Sequence, residues 1–348
     1  MRKNTTPRHG WWCRMLMKLA LASSKTFYYG GQAVIEGVMM RGRTTVAMAG
    51  RRPDGTLYLY EEPLNPRIYQ NPVFRLPFLR GMLMLWQTLV LGSRMMTLSA
   101  TIAAGEADAP SLAGGTIATG GVEGGVSLAI RDEQKTDKPP TDNARLILSL
   151  LLSMSMAVMV FFVGPVLLAN LFTRLLGRTA GESDQSLISV TTEGLLRLGL
   201  LIGYLSAIGR VPDVERVFGY HGAEHKAINA MEQGEPLDVE HVRLASRVHT
   251  RCGTDFLLLV MVVSIFIFAL VPNSSLFTRI MARIALLPVV AGIAYELMRA
   301  GAANYRYRVV RWLLTPGLAL QGLTTREPDD SMIECAIAAL QRVMLRDK

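Results

Sequence analysis

The chain has 348 residues, of which 50% are hydrophobic and 19% are charged, and its formal net charge is +9. The apolar residues form long runs without charge, which is typical of a membrane protein. Excess Lys and Arg then marks cytoplasmic loops, so no nucleic-acid partner is expected. Cys13, Cys252 and Cys335 are odd in number and scattered, which excludes a disulfide framework.

Residues 1–27 form a basic tail with two adjacent tryptophans, and we expect it to be disordered or to contact lipid headgroups. Residues 28–77 are predicted to form a small cytoplasmic β unit, because a Pro-Asp-Gly turn at 53–55 separates two strand-like runs. Glu36 lies among glycines and apolar residues in this unit. It is either a solvent-facing strand residue or a carboxylate held by a glycine-rich frame.

Residues 78–104 are apolar but carry Arg80, Gln87 and Arg94 at intervals of seven, which places these three side chains on one helical face. The stretch between the two arginines is too short to cross about 30 Å of hydrocarbon. We therefore predict an amphipathic helix lying at the membrane interface. The alternative is a tilted span whose polar stripe packs inside a bundle. The low-complexity stretch 105–143 is predicted to be a disordered linker.

The region 144–298 is predicted to contain four membrane spans, at 146–173, 187–209, 256–278 and 280–298. Glu193 and Arg197 lie four residues apart in the second span and are expected to pair on one face. Basic residues are concentrated in the N-terminal region, in the loop 210–255 and in the tail 299–348. This distribution places both termini in the cytoplasm.

The fold class expected is thus mainly α: a polytopic helical bundle of about four spans, an interfacial helix and a small N-terminal β-hairpin unit. The cytoplasmic tail ends in apolar residues at helical spacing, which predicts a helix that docks on another element. Asp329, Asp330 and Ser331 are expected to cap its start, with Glu334, three residues after Ser331, completing a capping box.

The motif YHGAEHK at 220–226 carries the main chemical signal. His221, Glu224 and His225 share one face of a helix, and two imidazoles with a carboxylate can bind a divalent metal and supply a general base. The pattern H-x-x-E-H is typical of inverzincin metallopeptidases. The alternative is a helix with ordinary polar histidines.

A second pair, His249 and Cys252, follows in the same predicted loop, and the four His and Cys residues make a plausible zinc set. If all four bind, the site is closed and structural and Glu224 only supports it. If three bind, one position stays open and Glu224 can act as general base. The further candidate ligands are Glu36, Asp255 and Glu296. We expect Glu36 to lie near His221 or His225.

Several longer motifs carry a resemblance to a known family. They are GGQAVIEGVMMRG at 30–42, RVF at 216–218 with the histidine motif after it, HTRCGTDF at 249–256, YE at 295–296 and LTTREPDD at 323–330. Together they resemble the YqhQ family of bacterial multi-pass membrane proteins, over residues 28–340. The resemblance implies an inner-membrane protein that is described as a predicted metal-dependent enzyme and has no established substrate.

Two functions stay open at the level of sequence. One is a metal-dependent hydrolase that acts on a membrane protein or a lipid at the cytoplasmic membrane face. The other is a non-enzymatic transport or assembly factor, in which the cluster is a structural metal site or a polar network.

Overall fold

A computed structural model describes residues 27–65, 76, 78–105, 143–175, 187–271 and 275–348. The predicted basic tail and the predicted linker lie outside the described residues except at their edges. The described part contains one antiparallel sheet and a set of helices, which together form three hydrophobic cores.

The sheet is a four-stranded antiparallel meander of β1 (Gly30–Val34), β2 (Gly37–Arg41), β3 (Thr45–Arg51) and β4 (Leu57–Pro63). The predicted hairpin is confirmed as β3 and β4, and Asp54 stabilises its turn by accepting from the Thr56 N–H at 2.9 Å. The glycine-rich stretch adds the two further strands. Side-chain alternation sends Val38 and Met40 to one face and Met39 to the other.

The helices are listed here with their bounds. They are α1 (Leu79–Ala103), α2 (Asn143–Val158) continuing through a π-helical turn (Met159–Val163) into α3 (Gly164–Leu175), α4 (Leu187–Ile208), α5 (Pro212–Gln233), α6 (Val239–Leu244), α7 (Gly253–Ala269), α8 (Leu276–Ala303), α9 (Arg308–Thr324) and α10 (Asp330–Arg346).

The sheet is buried on both faces. One face packs against α5 and α10, and the other packs against α1 through residues such as Met95 and Leu98. The C-terminal helix thus docks on the sheet and on α5, as predicted. Of the predicted caps, Asp329 is confirmed as the N-cap and accepts from the Met332 N–H at 2.9 Å, whereas the predicted capping box of Ser331 and Glu334 is wrong. The Glu334 side chain instead forms an ion pair with Arg51 on β3.

Helix α1 uses its predicted polar stripe for contacts with the protein. Arg80 forms a bidentate pair with Glu296 of α8, and Arg94 forms one with Glu62 of β4 at 3.1 and 3.0 Å. Trp86 remains exposed. Because charged residues of α8 and β4 lie within reach, the arginines bind carboxylates of the chain itself. Helix α1 is not among the described helices apolar enough to cross a bilayer.

Two helical stretches are long and apolar enough to cross a membrane, Ile147–Leu171 and Leu276–Ala303. The pair α4 and α5 meets the criterion only together and is bent by 100°, which gives up to three spans. The predicted four spans are therefore not confirmed. Helix α7 is apolar but has 17 residues, or about 25 Å at a rise of about 1.5 Å per residue. That is short of the roughly 30 Å of a hydrocarbon core.

Candidate metal centre

The histidine motif lies in the middle of α5. Pro212 stands at the first position of this helix and Gly234 ends it in the left-handed conformation, φ 78°. The predicted loop 210–255 is therefore largely helical, and α5 packs between the sheet and α10. This packing buries His225 and leaves His221 partly buried.

His221, His225 and Cys252 come together, with one potential ligand atom from each within 4.8 Å of the others. The two imidazole centroids are 4.4 Å apart, as expected for positions i and i+4. Cys252 stands just before α7, and its Sγ lies 3.3 Å from His221 Nε2. Two of the three residues come from α5 and the third from the start of α7.

Backbone carbonyls orient both imidazoles. His221 Nδ1 lies 2.8 Å from the Thr324 carbonyl oxygen, and His225 Nδ1 lies 2.7 Å from that of Arg247. A carbonyl can only accept, so each Nδ1 donates and carries the proton. In the neutral imidazole Nε2 then carries the lone pair, and in both histidines this atom lies on the side of the Cys252 sulfur. This is the arrangement found around histidines that ligate metals.

The donor set suits zinc better than magnesium or calcium. Imidazole nitrogen and thiolate sulfur are zinc ligands, whereas magnesium and calcium prefer oxygen. The Cys252 sulfur also accepts from the Thr254 N–H at 3.4 Å, at the N-terminus of α7, where the helix dipole favours negative charge. Burial lowers the pKa of His225, which favours its neutral, ligating form.

Glu224 is buried beside this group and accepts a hydrogen bond from the Gly31 N–H of β1. Burial raises the pKa of its carboxyl group to about 6, although the neighbouring His221 and the Gly31 amide act in the opposite direction. Gly31 also lines a cavity of about 180 Å³ between β1, β2 and α1. The carboxylate is therefore bonded to a residue of that cavity wall.

His249 lies next to the cluster and points elsewhere. Its ring centroid is 5.6 Å from that of His225, while its Nε2 lies 3.8 Å from a Glu232 oxygen and 3.4 Å from an Arg251 nitrogen. Gln321 of α9 binds both the N–H and the carbonyl of His249, at 2.9 and 2.7 Å. The structure thus brings three of the four predicted zinc ligands together and holds the fourth in a separate network.

Asp255 belongs to that same network. Its Oδ1 accepts from Gln321 Nε2 at 2.9 Å and its side chain packs against Gly317 of α9. Gln321 therefore ties the segment after α6 to the first turn of α7. Asp255 supports the loop that carries Cys252, and it is not one of the three clustered residues.

Glu36 does not reach the histidines. It lies in the turn between β1 and β2 with φ 52°, where its carboxylate accepts from Arg216 Nη2 at 2.7 Å and from the Tyr220 hydroxyl at 3.2 Å. The predicted contact between the glycine-rich stretch and the histidine helix is confirmed. The expectation that Glu36 lies against His221 or His225 is wrong, because the arginine one turn earlier is the stronger partner.

The structure gives Glu296 and Glu193 partners other than those predicted from sequence. Glu296 is held by Arg80 and by the Phe78 N–H at 3.2 Å, which ties it to α1. Glu193 contacts Arg279 and Arg283 of α8, whereas Arg197 turns to the Phe161 carbonyl. The expected Glu193–Arg197 pair gives way to pairs between helices. His241 binds Asp238 on the surface, as its charged sequence neighbours predict.

Sequence reasoning missed the residues that orient the ligands. Thr324 and Arg247 act through backbone carbonyls, which leave no side-chain signature. Gln321 and Gly31 act from α9 and β1, far away in sequence. The resemblance motifs at 30–42 and 323–330 contain Gly31 and Thr324, and that is the one signal that pointed to them.

The fold and the site define a class: a mainly helical protein with two to three potential membrane spans, a small β sheet and a buried His-His-Cys cluster. Residues 76–346 match the family described as "Protein of unknown function (DUF1385)". The chain is 33% identical over 318 residues to "Uncharacterized protein YqhQ" of Bacillus subtilis (strain 168), covering 91% of this chain and 92% of that protein. It belongs to the YqhQ family. No solved structure matched it.

Proposed function

We propose that the chain is a metal-dependent hydrolase of the bacterial cytoplasmic membrane. His221, His225 and Cys252 would hold zinc, with four apolar helices in the bilayer and both termini in the cytoplasm. The substrate would be a membrane protein or a lipid that reaches the site at the cytoplasmic membrane face. The observation that carries the proposal is the pair of carbonyl-anchored imidazoles presenting Nε2 beside a thiol.

The number of clustered residues favours catalysis over a closed site. Structural zinc sites use four protein ligands, and catalytic sites use three and keep one position for water or substrate. Here three ligand atoms cluster, and the His249 imidazole is engaged by Glu232 and Arg251. Zinc bound there would polarise a substrate carbonyl or phosphoryl group and acidify water.

Glu224 would accept the proton of the attacking water. Glu224 follows His221 by three residues on α5, so the two side chains share one face of the helix. The Gly31 N–H holds the carboxylate in place. The cavity bordered by Gly31 has a mainly apolar lining that includes Met39, Met84 and Leu91, which suits an acyl chain or an apolar peptide segment.

A structural metal site in a non-enzymatic membrane protein is the second candidate. The hydrogen bond from Gly31 to Glu224 favours it, because this bond by itself gives the carboxylate a bracing role between α5 and the sheet. Cys252 also joins α7 to α5 across the cluster. Both functions share the metal and differ in what Glu224 does.

The test begins with the metal content of purified, full-length protein. We expect about one zinc per chain, because the cluster offers one set of three ligands. Cys252→Ala and His225→Ala should each lose it, and His241→Ala, which alters a surface histidine, should keep it. Cobalt exchange adds a direct probe, since a thiolate-to-cobalt absorption band should be present in the wild type and absent from Cys252→Ser. Wild-type protein that contains no metal would contradict both the hydrolase and the structural metal site.

The Glu224→Gln variant separates the two candidates. If the chain is a hydrolase, this variant keeps zinc, and cells that express it accumulate an uncleaved membrane protein or lipid that wild-type cells convert. Comparative proteomics and lipidomics of the membrane fraction measure this. Identical profiles for the two strains, with zinc retained and folding unchanged, would favour the structural site.

A further inference from the structure

Three charged side chains are buried within the helical bundle, and a fourth, Arg279, is partly buried beside them. Glu193 of α4 contacts Arg279 and Arg283 of α8, and Arg197 follows Glu193 by one helical turn. Glu193 and Arg197 are each 1% exposed and Arg283 is 5% exposed. The two buried arginines, Arg197 and Arg283, face the single carboxylate of Glu193 among the described residues of this group, which leaves positive charge in excess. Arginine does not lose its proton in proteins, so the charge is permanent.

Arg197 is only partly satisfied by the bundle. Its Nε donates to the Phe161 carbonyl at 2.9 Å and its Nη1 donates to Ser264 Oγ at 2.7 Å. Phe161 lies in the π-helical turn, where the shifted hydrogen-bond pattern frees backbone carbonyls, and such turns are frequent at functional sites. Nη2 of Arg197 is buried and has no hydrogen-bond partner within the described residues.

Arg283 shows the same feature from the other side of the cluster. Its Nη2 contacts Glu193 Oε2 at 2.5 Å, but its Nη1 is buried without a hydrogen-bond partner in the described part of the chain. Both guanidinium groups lie over the Phe268 ring, at 5.2 Å for Arg197 and 5.5 Å for Arg283. Helices α4 and α8 therefore each bring a guanidinium group with an unsatisfied nitrogen to the same aromatic ring.

Buried, unsatisfied donors of a charged group are costly, and the excess charge adds to that cost. We propose that this cluster is a binding site for a phosphate oxyanion. Paired guanidinium groups match phosphate oxygens in geometry, and the excess of positive charge around Arg197 and Arg283 favours an anionic ligand. Arg279, whose side chain is 11% exposed, is the most accessible of the three arginines and marks the side from which the anion enters.

The oxyanion has two physical sources, the headgroup of an anionic lipid and phosphate free in solution. The site is separate from the metal centre. Ser264, the hydroxyl partner of Arg197, follows Cys252 by twelve residues along α7, which corresponds to about 18 Å at a rise of about 1.5 Å per residue. The proposal therefore stands whether or not the chain is a hydrolase.

Thermal unfolding of purified, full-length protein in zwitterionic detergent tests the proposed phosphate site. Inorganic phosphate is titrated at constant ionic strength against chloride, and phosphatidylglycerol is titrated against phosphatidylcholine in mixed micelles. We expect a saturable rise in Tm, because a ligand that binds only the folded state stabilises it. A rise with phosphatidylglycerol alone identifies a lipid headgroup, and a rise with inorganic phosphate identifies the free anion. Equal responses to phosphate and chloride, with no response specific to phosphatidylglycerol, overturn the proposal.

Variants of Arg283 test whether the rise in Tm comes from this cluster. Arg283→Met should fold, since Glu193 keeps Arg279 and the apolar stem is preserved, and it should lose the response. Arg283→Lys keeps the charge without the planar fork, so its apparent Kd should be at least about tenfold weaker. Arg52→Met removes an exposed arginine of the sheet region and should respond as the wild type does. A full response in both Arg283 variants would also overturn the proposal, and zinc content should be unchanged throughout.

Discussion

The His-His-Cys cluster and the arginine cluster bury polar groups in opposite ways. Each imidazole donates its Nδ1–H to a backbone carbonyl and presents Nε2 beside the Cys252 sulfur, so the N–H groups of the two histidines have their hydrogen bonds made. The arginines carry permanent charge, and two of their buried nitrogens have no hydrogen-bond partner among the described residues. The first cluster can exist without its ligand at little cost, whereas the second depends on what neutralises it.

The largest effect is expected from Glu193→Gln, which removes the carboxylate that two arginines of α8 contact. Breaking a buried ion pair costs about 3–5 kcal/mol because charges are left uncompensated. We expect this loss in the free energy of unfolding, measured by denaturant titration in detergent. Zinc content should not change, because α5 and α7 hold those ligands. A loss below about 1 kcal/mol would remove the contrast between the clusters.

The Gly222→Ala variant tests the packing around the His-His-Cys cluster. A Cβ at this position would overlap the carbonyl oxygen of Arg326, which lies just beyond the Thr324 anchor of His221. Overpacking of this kind costs about 1–3 kcal/mol. It should also weaken zinc binding, because the segment that orients His221 must shift. Gly322→Ala is the matched control: nothing lies within 4 Å of its added Cβ, and it should stabilise α9 by up to about 1 kcal/mol. Equal effects at both glycines would contradict this account.

Glu61→Gln supplies a comparison for the arginine cluster, because Glu61 also faces two arginines, Arg342 and Arg346, but near solvent. Although burial acts in the opposite direction, these partners hold the pKa of Glu61 below its usual range. A lowered native pKa means that the stabilisation is present above the unfolded value, near pH 4.3, and is lost as the pH falls through the native pKa.

We expect Glu61→Gln to lower the unfolding free energy by about 1–2 kcal/mol at pH 7, where charged hydrogen bonds are lost. As the pH falls from about 4.3 through the lowered native pKa of Glu61, the wild type and the variant should converge. Unfolding curves recorded between pH 3 and pH 8 measure this. A difference that persists unchanged into acid would show that the carboxylate charge is not responsible.

Asp329→Ala should lower the free energy of unfolding least, and its effect measures the contribution of a single hydrogen bond. Asp329 caps α10 by accepting from the Met332 N–H. Loss of an N-cap costs about 0.5–2 kcal/mol. Ser331→Ala, at the first position of the predicted capping box, should cost less. The reverse order, seen in the Tm values of the two variants, would restore the predicted capping box.

The elements that sequence predicted best depend on local patterns. The hairpin around Asp54 follows from turn chemistry, and the docking of α10 follows from apolar residues at helical spacing. The four predicted membrane spans are not confirmed, since an apolar run does not show where α7 ends and α8 begins. The His221–His225 pair was accessible to sequence because one helical turn sets its spacing.

The sequence by itself determined which chemistry is available: a helix with two histidines and a glutamate, a cysteine that follows it, and charges inside apolar helices. Only the tertiary structure decided how they are used. It brought Cys252 to the histidines and turned His249 toward Glu232. It also replaced the Glu193–Arg197 pair, expected from sequence proximity, with contacts from Glu193 to two arginines of α8. The candidate ligands Glu36 and Glu296 are bound by Arg216 and Arg80 instead. The physical reason is that charged hydrogen bonds form with whichever partner the packing of distant elements brings within reach, and sequence spacing does not contain that information.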